Sequence, residues 1–269
     1  MHGRLVDRHG QLSALAAMIT FHGSTDAGKR RATNEDAIWT GEDHLFLVCD
    51  GMGGHKAGEV ASQLAVHTIT RFVERSSDEA EITWPYGFDI AATLEGNRLR
   101  TAIKLANRAV HRKAESSEEY EGMGTTVVAV LLSRGKPHMT YAGVGDSRVY
   151  LLRGDEIRQL TKDDSWASLG GDGGIVDDKT AAAMQHVLTK ALGATEDVQF
   201  EVTSQELQPG DIVLLCSDGL TNMASDERIR EIVQANQADP RAACNALVAA
   251  ANLAGGRDNI SAVVVRYSG

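Results

Sequence analysis

Five aspartates stand where apolar or small-residue runs of the chain break off. Leu45-Phe46-Leu47-Val48-Cys49 ends at Asp50-Gly51, and Ile212-Val213-Leu214-Leu215-Cys216-Ser217 ends at Asp218-Gly219. Asp146 lies in Gly145-Asp146-Ser147-Arg148, Asp258 in Gly255-Gly256-Arg257-Asp258-Asn259, and Asp36 closes Asn34-Glu35-Asp36. Singly, an Asp-Gly pair is a turn dipeptide. Gathered on one rim, the five would repel, because two carboxylates about 5 Å apart oppose each other by roughly 3 kcal/mol at an effective dielectric of about 20. Such a set calls for cations. Its donors are hard oxygens. The nine histidines show no His-x-His or His-Glu-x-x-His spacing and the three cysteines no Cys-x-x-Cys pair, so the ions expected are Mg²⁺ or Mn²⁺ and not Zn²⁺ or copper.

The segments that must position these residues read as short β-rich runs followed or separated by longer helical ones. Strands are predicted at His44–Cys49, Thr125–Leu132, His138–Val144, Arg148–Arg153, Val198–Thr203, Asp211–Cys216 and Ile260–Arg266, where Val, Ile and Leu concentrate. Helices are predicted at Gly58–Glu74, Arg98–Ala114, Thr180–Ala191, Asp226–Ala235 and Arg241–Ala254, from apolar spacings of three and four. Strands mostly adjoin strands, which argues for α+β layering over a doubly wound parallel sheet. With four prolines and no low-complexity linker, residues 21–269 are read as one domain and residues 1–20 as a tail or an extra strand. Gly170-Gly171-Asp172-Gly173-Gly174 marks a mobile flap at about 165–186, since glycine loses the most backbone freedom on ordering.

Composition narrows the function. The chain has 269 residues, 42% of them apolar, enough to bury a large core. Twenty-seven basic against 37 acidic residues give a net charge of −10, which disfavours a general nucleic-acid or anionic-membrane binder. Three scattered cysteines suit a reducing compartment, so a cytoplasmic location is expected. No apolar run reaches the roughly 18 residues of a membrane span.

Seven blocks resemble the metal-dependent type 2C serine/threonine protein phosphatases in their compact bacterial form. They are Asp26-x-Gly28-x-x-Arg31-x-x-Asn34-Glu35-Asp36-Ala37, Val48-Cys49-Asp50-Gly51-Met52-Gly53-Gly54-His55, Gly124-Thr125-Thr126, Gly145-Asp146-Ser147-Arg148-Val149-Tyr150, Leu160-Thr161-x-Asp163, Ser217-Asp218-Gly219-Leu220 and Gly256-Arg257-Asp258-Asn259-Ile260. One block is weak evidence; seven in the family's order are specific. The resemblance implies a central sandwich of two antiparallel β-sheets flanked by helices, in α-β-β-α layers. It also implies that Asp50 bridges two ions, that Asp218 and Asp258 complete the first site, and that Asp36 with the Gly51 carbonyl serves the second. Asp146 with Asp218 would hold a weaker third ion, and Arg31 would bind the substrate phosphate. The implied reaction is hydrolysis of phosphoserine and phosphothreonine in proteins, opposing a serine/threonine kinase, by direct attack of a metal-bridging hydroxide. Paired divalent ions and a guanidinium suit that chemistry.

Two positions depart from the wider family pattern. Met52 follows the Asp-Gly pair where many eukaryotic relatives have a histidine proposed as general acid, and a thioether has no proton to donate; His55 stands three residues further on. Asp163-Asp164-Ser165 replaces a frequent Asp-His-Ser, with flap anchoring as the property affected. Other readings stay open at this point. Gly23-Ser24-Thr25-Asp26-Ala27-Gly28-Lys29 fits Gly-x-x-x-x-Gly-Lys, but Arg30 stands where a P-loop needs Ser or Thr. A Cys-x₅-Arg phosphatase would need arginine at His55, Asn222 or Ala250. A catalytically silent phosphoprotein-binding module or a small-molecule phosphoesterase would share the fold. Finally, Arg100, Lys104, Arg108 and Arg112 should form one stripe on a helix, which is either a solvated face or a dock for an acidic regulator or substrate.

Overall fold

Burial along the central strands dictates the layering. The computed structural model describes residues 19–41, 44–53, 57–78, 82–166 and 187–269. In β3 (Leu45–Met52) the run Leu45 to Cys49 is buried throughout, on both faces. Leu45, Leu47 and Cys49 join a core with the apolar sides of α1 (Ala57–Asp78) and α2 (Leu94–Ala114). Phe46 and Val48 join a second core between the sheets. β5 (Val127–Leu132) alternates in the same way. In β10 (Ile212–Cys216) and β11 (Ile260–Tyr267), Leu214, Cys216, Ala262 and Val264 face a third core. That core is shared with α3 (Asp218–Thr221), α4 (Asp226–Ala235) and α5 (Pro240–Leu253). Two sheets buried on both faces need helices outside each, which gives α-β-β-α.

One sheet runs β1 (Ile19–Asp26), β11, β10, β7 (Arg148–Arg153), β8 (Glu156–Gln159). The other runs β2 (Asp36–Thr40), β3, β5, β6 (His138–Val144), β9 (Val202–Glu206), with the two-residue β4 (Gly124–Thr125) against β3. Every pairing is antiparallel. The expected α+β sandwich is therefore the one observed.

Several boundaries differ from expectation. β1 starts at Ile19 and pairs with β11 from Ile19↔Tyr267 to Asp26↔Ile260, so part of the stretch read as a tail is strand. β1, β2 and β8 are sheet-edge strands with few fully buried residues, and their mixed composition hid them. β9 lies four residues beyond the predicted start of its strand, because Val198 is core while still outside the ladder. Of the helix predicted at Thr180–Ala191, the part up to residue 186 lies outside the described residues. Val187–Ala191 is not helical; Leu188 bridges Ser165 and, one residue past the predicted end, Leu192 bridges Thr125. Residues 167–186 of the expected flap also lie outside the described residues.

Three of the four cations of the basic stripe meet acids of the same chain. Arg100 meets Asp89 at 3.3 Å, Lys104 meets Asp197 at 3.4 Å and Arg108 meets Glu196 at 3.5 Å. Lys104 and Arg108 also lie over the Tyr86 ring.

Candidate metal centre

Strand register brings the five aspartates to one end of the sandwich. Asp36 and Asp50 are directly opposed on β2 and β3. Asp218 opens α3 just past the end of β10, and Asp258 precedes the start of the antiparallel β11, so both lie at the same end. Asp146 occupies the turn from β6 to β7, whose Arg148 pairs with Cys216 of β10.

The electrostatics record the convergence. Burial raises the Asp50 carboxyl well above its ordinary pKa, and the charges of Asp36, Asp218, Asp258 and Asp146 all push it further. Asp36 is raised to about 6, mainly by burial, with the Ser261 and Ser217 hydroxyls working against the shift. Asp146 is raised to about 7 by burial and then by Asp218. Each of these groups resists ionisation where it stands. Among the described residues no three His, Cys, Asp or Glu side chains are arranged so that they could hold a metal ion as they stand; what the carboxylates share is an electrostatic field.

Local bonds fix the donors. Thr126 receives and gives at Asp50, its hydroxyl accepting the Asp50 N–H at 3.0 Å and its own N–H donating to the Asp50 carbonyl at 2.8 Å. That hydroxyl is also 2.8 Å or less from a neighbour on the Asp146 turn, Ser147 Oγ at 2.7 Å. Asp36 Oδ2 accepts from Ser217 Oγ at 2.9 Å and Ser261 Oγ at 2.6 Å, while Asp36 Oδ1 is buried with no hydrogen-bond partner among the described residues. A buried carboxylate oxygen in that condition fits a hard cation, as does an all-oxygen donor set. Gly51 is confined by its neighbours: a Cβ there would sit 2.1 Å from the Gly58 carbonyl oxygen and 2.6 Å from that of Glu35. Only glycine lets the start of α1 close onto the cluster.

Arg31 stands at the rim, half exposed, its Nη2 donating to Asp258 Oδ2 at 2.7 Å. That bond holds its pKa above the ordinary value against a smaller opposing effect of burial. Just before the expected flap, Asp164 donates its N–H to the Gly145 carbonyl at 2.8 Å and its Oδ1 meets Lys190 Nζ at 2.7 Å. The segment after β8 is thus tied to the turn bearing Asp146. His55 lies outside the described residues.

Residues 25–251 match the family model described as protein phosphatase 2C. The chain belongs to this family. It is 34% identical over 254 residues to the serine/threonine protein phosphatase PstP of Mycobacterium tuberculosis, covering 94% of this chain and 46% of PstP. The chain thus spans about half that relative's length. It is also 34% identical over 252 residues to the serine/threonine phosphatase Stp of Listeria welshimeri, covering 90% of this chain and 93% of Stp. The crystal structure of the PstP catalytic domain in complex with two manganese ions superposes with a TM-score of 0.76 at 35% identity, covering 94% of this chain and 99% of that one.

Membership in the phosphatase 2C family agrees with what the fold removes. Residues 23–26 of the P-loop-like run are strand, paired with β11 through Asp26, so they form no phosphate-cradling loop. Cys49 and Cys216 are fully buried, and burial lifts both thiols, Cys216 to about 12. Neither is a thiolate nucleophile. Glu35, Ser217, Ser261 and Asn259 belong to the site's surroundings, yet sequence reading singled out none of them. Glu35 is half-buried beside Arg31 and Asp258, with its pKa raised chiefly by burial. Its place inside Asn34-Glu35-Asp36 was the available signal.

Proposed function

We propose that this chain hydrolyses phosphoserine and phosphothreonine in proteins, opposing a serine/threonine kinase in the cytoplasm, with Mn²⁺ or Mg²⁺ held by the carboxylate cluster. The observation that carries this is the gathering of buried, mutually repelling carboxylates with a half-exposed guanidinium at their rim. Asp50 would be shared between two ions, Asp218 and Asp258 would complete the first site, and Asp36 with the Gly51 carbonyl would serve the second. Asp146 and Asp218 would hold a weaker third. Bound there, divalent ions supply the Lewis acidity that makes water nucleophilic near neutral pH and offsets phosphoryl charge.

The chain's own groups do the rest. Arg31 offers two parallel N–H donors to phosphate oxygens and stays charged throughout. With both strand cysteines buried and protonated, no thiol competes with water as the attacking group. Met52 has no proton for the leaving alkoxide. A cytoplasmic setting is supported by three free cysteines and agrees with the lack, among the described residues, of a helix long and apolar enough to cross a membrane.

The test is phosphate release from phosphoserine and phosphothreonine peptides. Release should stop with EDTA and return with Mn²⁺, fall to background in Asp50→Asn, and weaken in Arg31→Ala mainly through KM. Mn²⁺ uptake by calorimetry without any turnover would instead support the phosphoprotein-binding module. Turnover of aryl phosphate but of no phosphopeptide would support the small-molecule phosphoesterase.

A further inference from the structure

The segment from Ala27 to Glu35 joins two paired strands and carries Arg31 at its middle. β1 and β2 are each laddered along their whole lengths, to β11 and β3, so the strands do not depend on how this segment is shaped. One buried side chain shapes it. Asn259, 4% exposed, donates from Nδ2 to the Ala27 carbonyl at 3.0 Å and to the Thr33 carbonyl at 2.9 Å. Its Oδ1 accepts the Glu35 N–H at 2.8 Å. A carboxamide has two donors and one acceptor oxygen in a plane, and here all are spent on the backbone on either side of Arg31. The Asn259 N–H in turn donates to Asp258 Oδ1 at 2.9 Å, while Asp258 Oδ2 accepts from Arg31. Backbone contact reinforces the arrangement, with the Lys29 N–H donating to the Gly256 carbonyl at 2.7 Å.

We propose that Asn259 is a positioning residue for phosphate binding: its carboxamide clamps both ends of the Ala27–Glu35 segment and so sets the Arg31 guanidinium over the cluster in register with Asp258. Asn259 acts through Arg31 and not on the substrate. The inference rests on the reading of Arg31 as the phosphate-binding group, and its test separates the two.

The experiment measures inorganic phosphate affinity by calorimetry on the Mn²⁺-loaded protein, together with KM and kcat for an aryl phosphate. It compares wild type, Asn259→Ser, Asn259→Asp, Arg31→Ala and the Arg31→Ala/Asn259→Ser double variant. Loss of buried donors should weaken phosphate about tenfold in Asn259→Ser, with KM rising more than kcat falls. Asn259→Asp keeps the shape but removes both donors, so it should be impaired at least as much. In the Arg31→Ala background, Asn259→Ser should change phosphate affinity by less than about twofold, the non-additivity expected of two residues acting as one unit. Equal losses in both backgrounds would overturn the inference while leaving Arg31 in its role. Unchanged phosphate affinity in Arg31→Ala would overturn the reading of Arg31 and the inference with it. Should the Asn259 variants lack a cooperative unfolding transition, Gly28→Ala displaces the same segment with Asn259 intact. Gly28 has φ +75° and a Cβ there would lie 2.2 Å from the Asp258 carbonyl oxygen. It should show the same Arg31-dependent loss, and wild-type phosphate affinity in Gly28→Ala would refute the clamp.

Discussion

The two ends of β10 hold carboxylates under opposite conditions. At its start, Asp211 is 1% exposed, yet Arg153 donates to it from Nε at 2.8 Å and Nη2 at 2.6 Å, and the Gln208 N–H adds a bond at 2.8 Å. At its other end, Asp218 leads into a group in which Asp36, Asp50 and Asp146 are all pushed towards protonation. One end contains its own counter-charge; at the other, Arg31 meets Asp258 at the rim while burial and mutual repulsion still raise Asp36, Asp50 and Asp146. The same strand thus joins a buried aspartate matched by an arginine to a cluster whose inner carboxylates stay pushed towards protonation despite Arg31 at its rim. The difference separates a carboxylate that serves the fold from those proposed to hold an external cation.

Substitution at each end should therefore act in opposite directions. Arg153→Ala leaves Asp211 buried and uncompensated and should lower stability by about 3 kcal/mol, the low end for a broken buried pair because Arg153 is partly exposed. Asp50→Asn removes one of several repelling carboxylates and should raise the stability of the metal-depleted protein by roughly 1–3 kcal/mol, even as activity is lost. Chemical denaturation in EDTA measures both. A destabilised Asp50→Asn would mean that the cluster is structural in the same sense as Asp211.

The contrast also explains how much was legible beforehand. Leu45 to Cys49 and Ile212 to Cys216 announced themselves because strands buried on both faces are apolar at every position. β2 and β8, half-buried at the sheet edges, carry charged and polar residues and did not. Asp50, Asp146, Asp218 and Asp258 were readable because each lies beside the end of a predicted strand next to a small or polar residue, and Asp36 because it closes Asn34-Glu35-Asp36. Their supports were not, since Ser261 and Asp36 are 225 residues apart in sequence and meet only through the facing of the two sheets. Asn259 was visible as a motif letter, but its three bonds to the Arg31 segment depend on a chain reversal that spacing does not encode. Over Val187–Ala191 the expected helix is not formed for a related reason: Leu188 bridges Ser165, and Leu192, just past the expected end, bridges Thr125 of β4.

The next test sharpens the comparison by pH. Asp36 and Asp146 have pKa values near 6 and 7 in the folded chain against about 3.9 when unfolded. Between those values the native state binds more protons than the unfolded state, so stability is fully present below about pH 4 and lost as pH rises through 6 to 7. The metal-depleted protein should lose roughly 4 kcal/mol between pH 5 and pH 8, about 1 from Asp36 and about 3 from Asp146. Saturating Mn²⁺ should cancel or reverse that slope, because the ion binds the deprotonated carboxylates. Thermal melts across pH, with EDTA and with Mn²⁺, decide it; parallel slopes would separate the cluster from metal binding.

The smallest effect is expected on the helix face of Arg100, Lys104 and Arg108. These cations resemble the Arg153 end of β10 in having acids of the same chain beside them, but the pairs are long and largely exposed. Exposed pairs contribute little, and cations already matched by Asp89, Asp197 and Glu196 offer an incoming acidic surface little unbalanced charge. Arg100→Glu with Arg108→Glu places like charges against Asp89 and Glu196, so stability should fall by no more than about 1 kcal/mol. The ratio of kcat/KM for a phosphoprotein to that for an aryl phosphate should stay within about twofold of wild type, because the charges of Arg100 and Arg108 already face Asp89 and Glu196 and so add little field to steer a substrate. A fall confined to the phosphoprotein would return this face to the role of a dock, and would show that ion pairs on an exposed helix can open for a partner as those at Asp211 cannot.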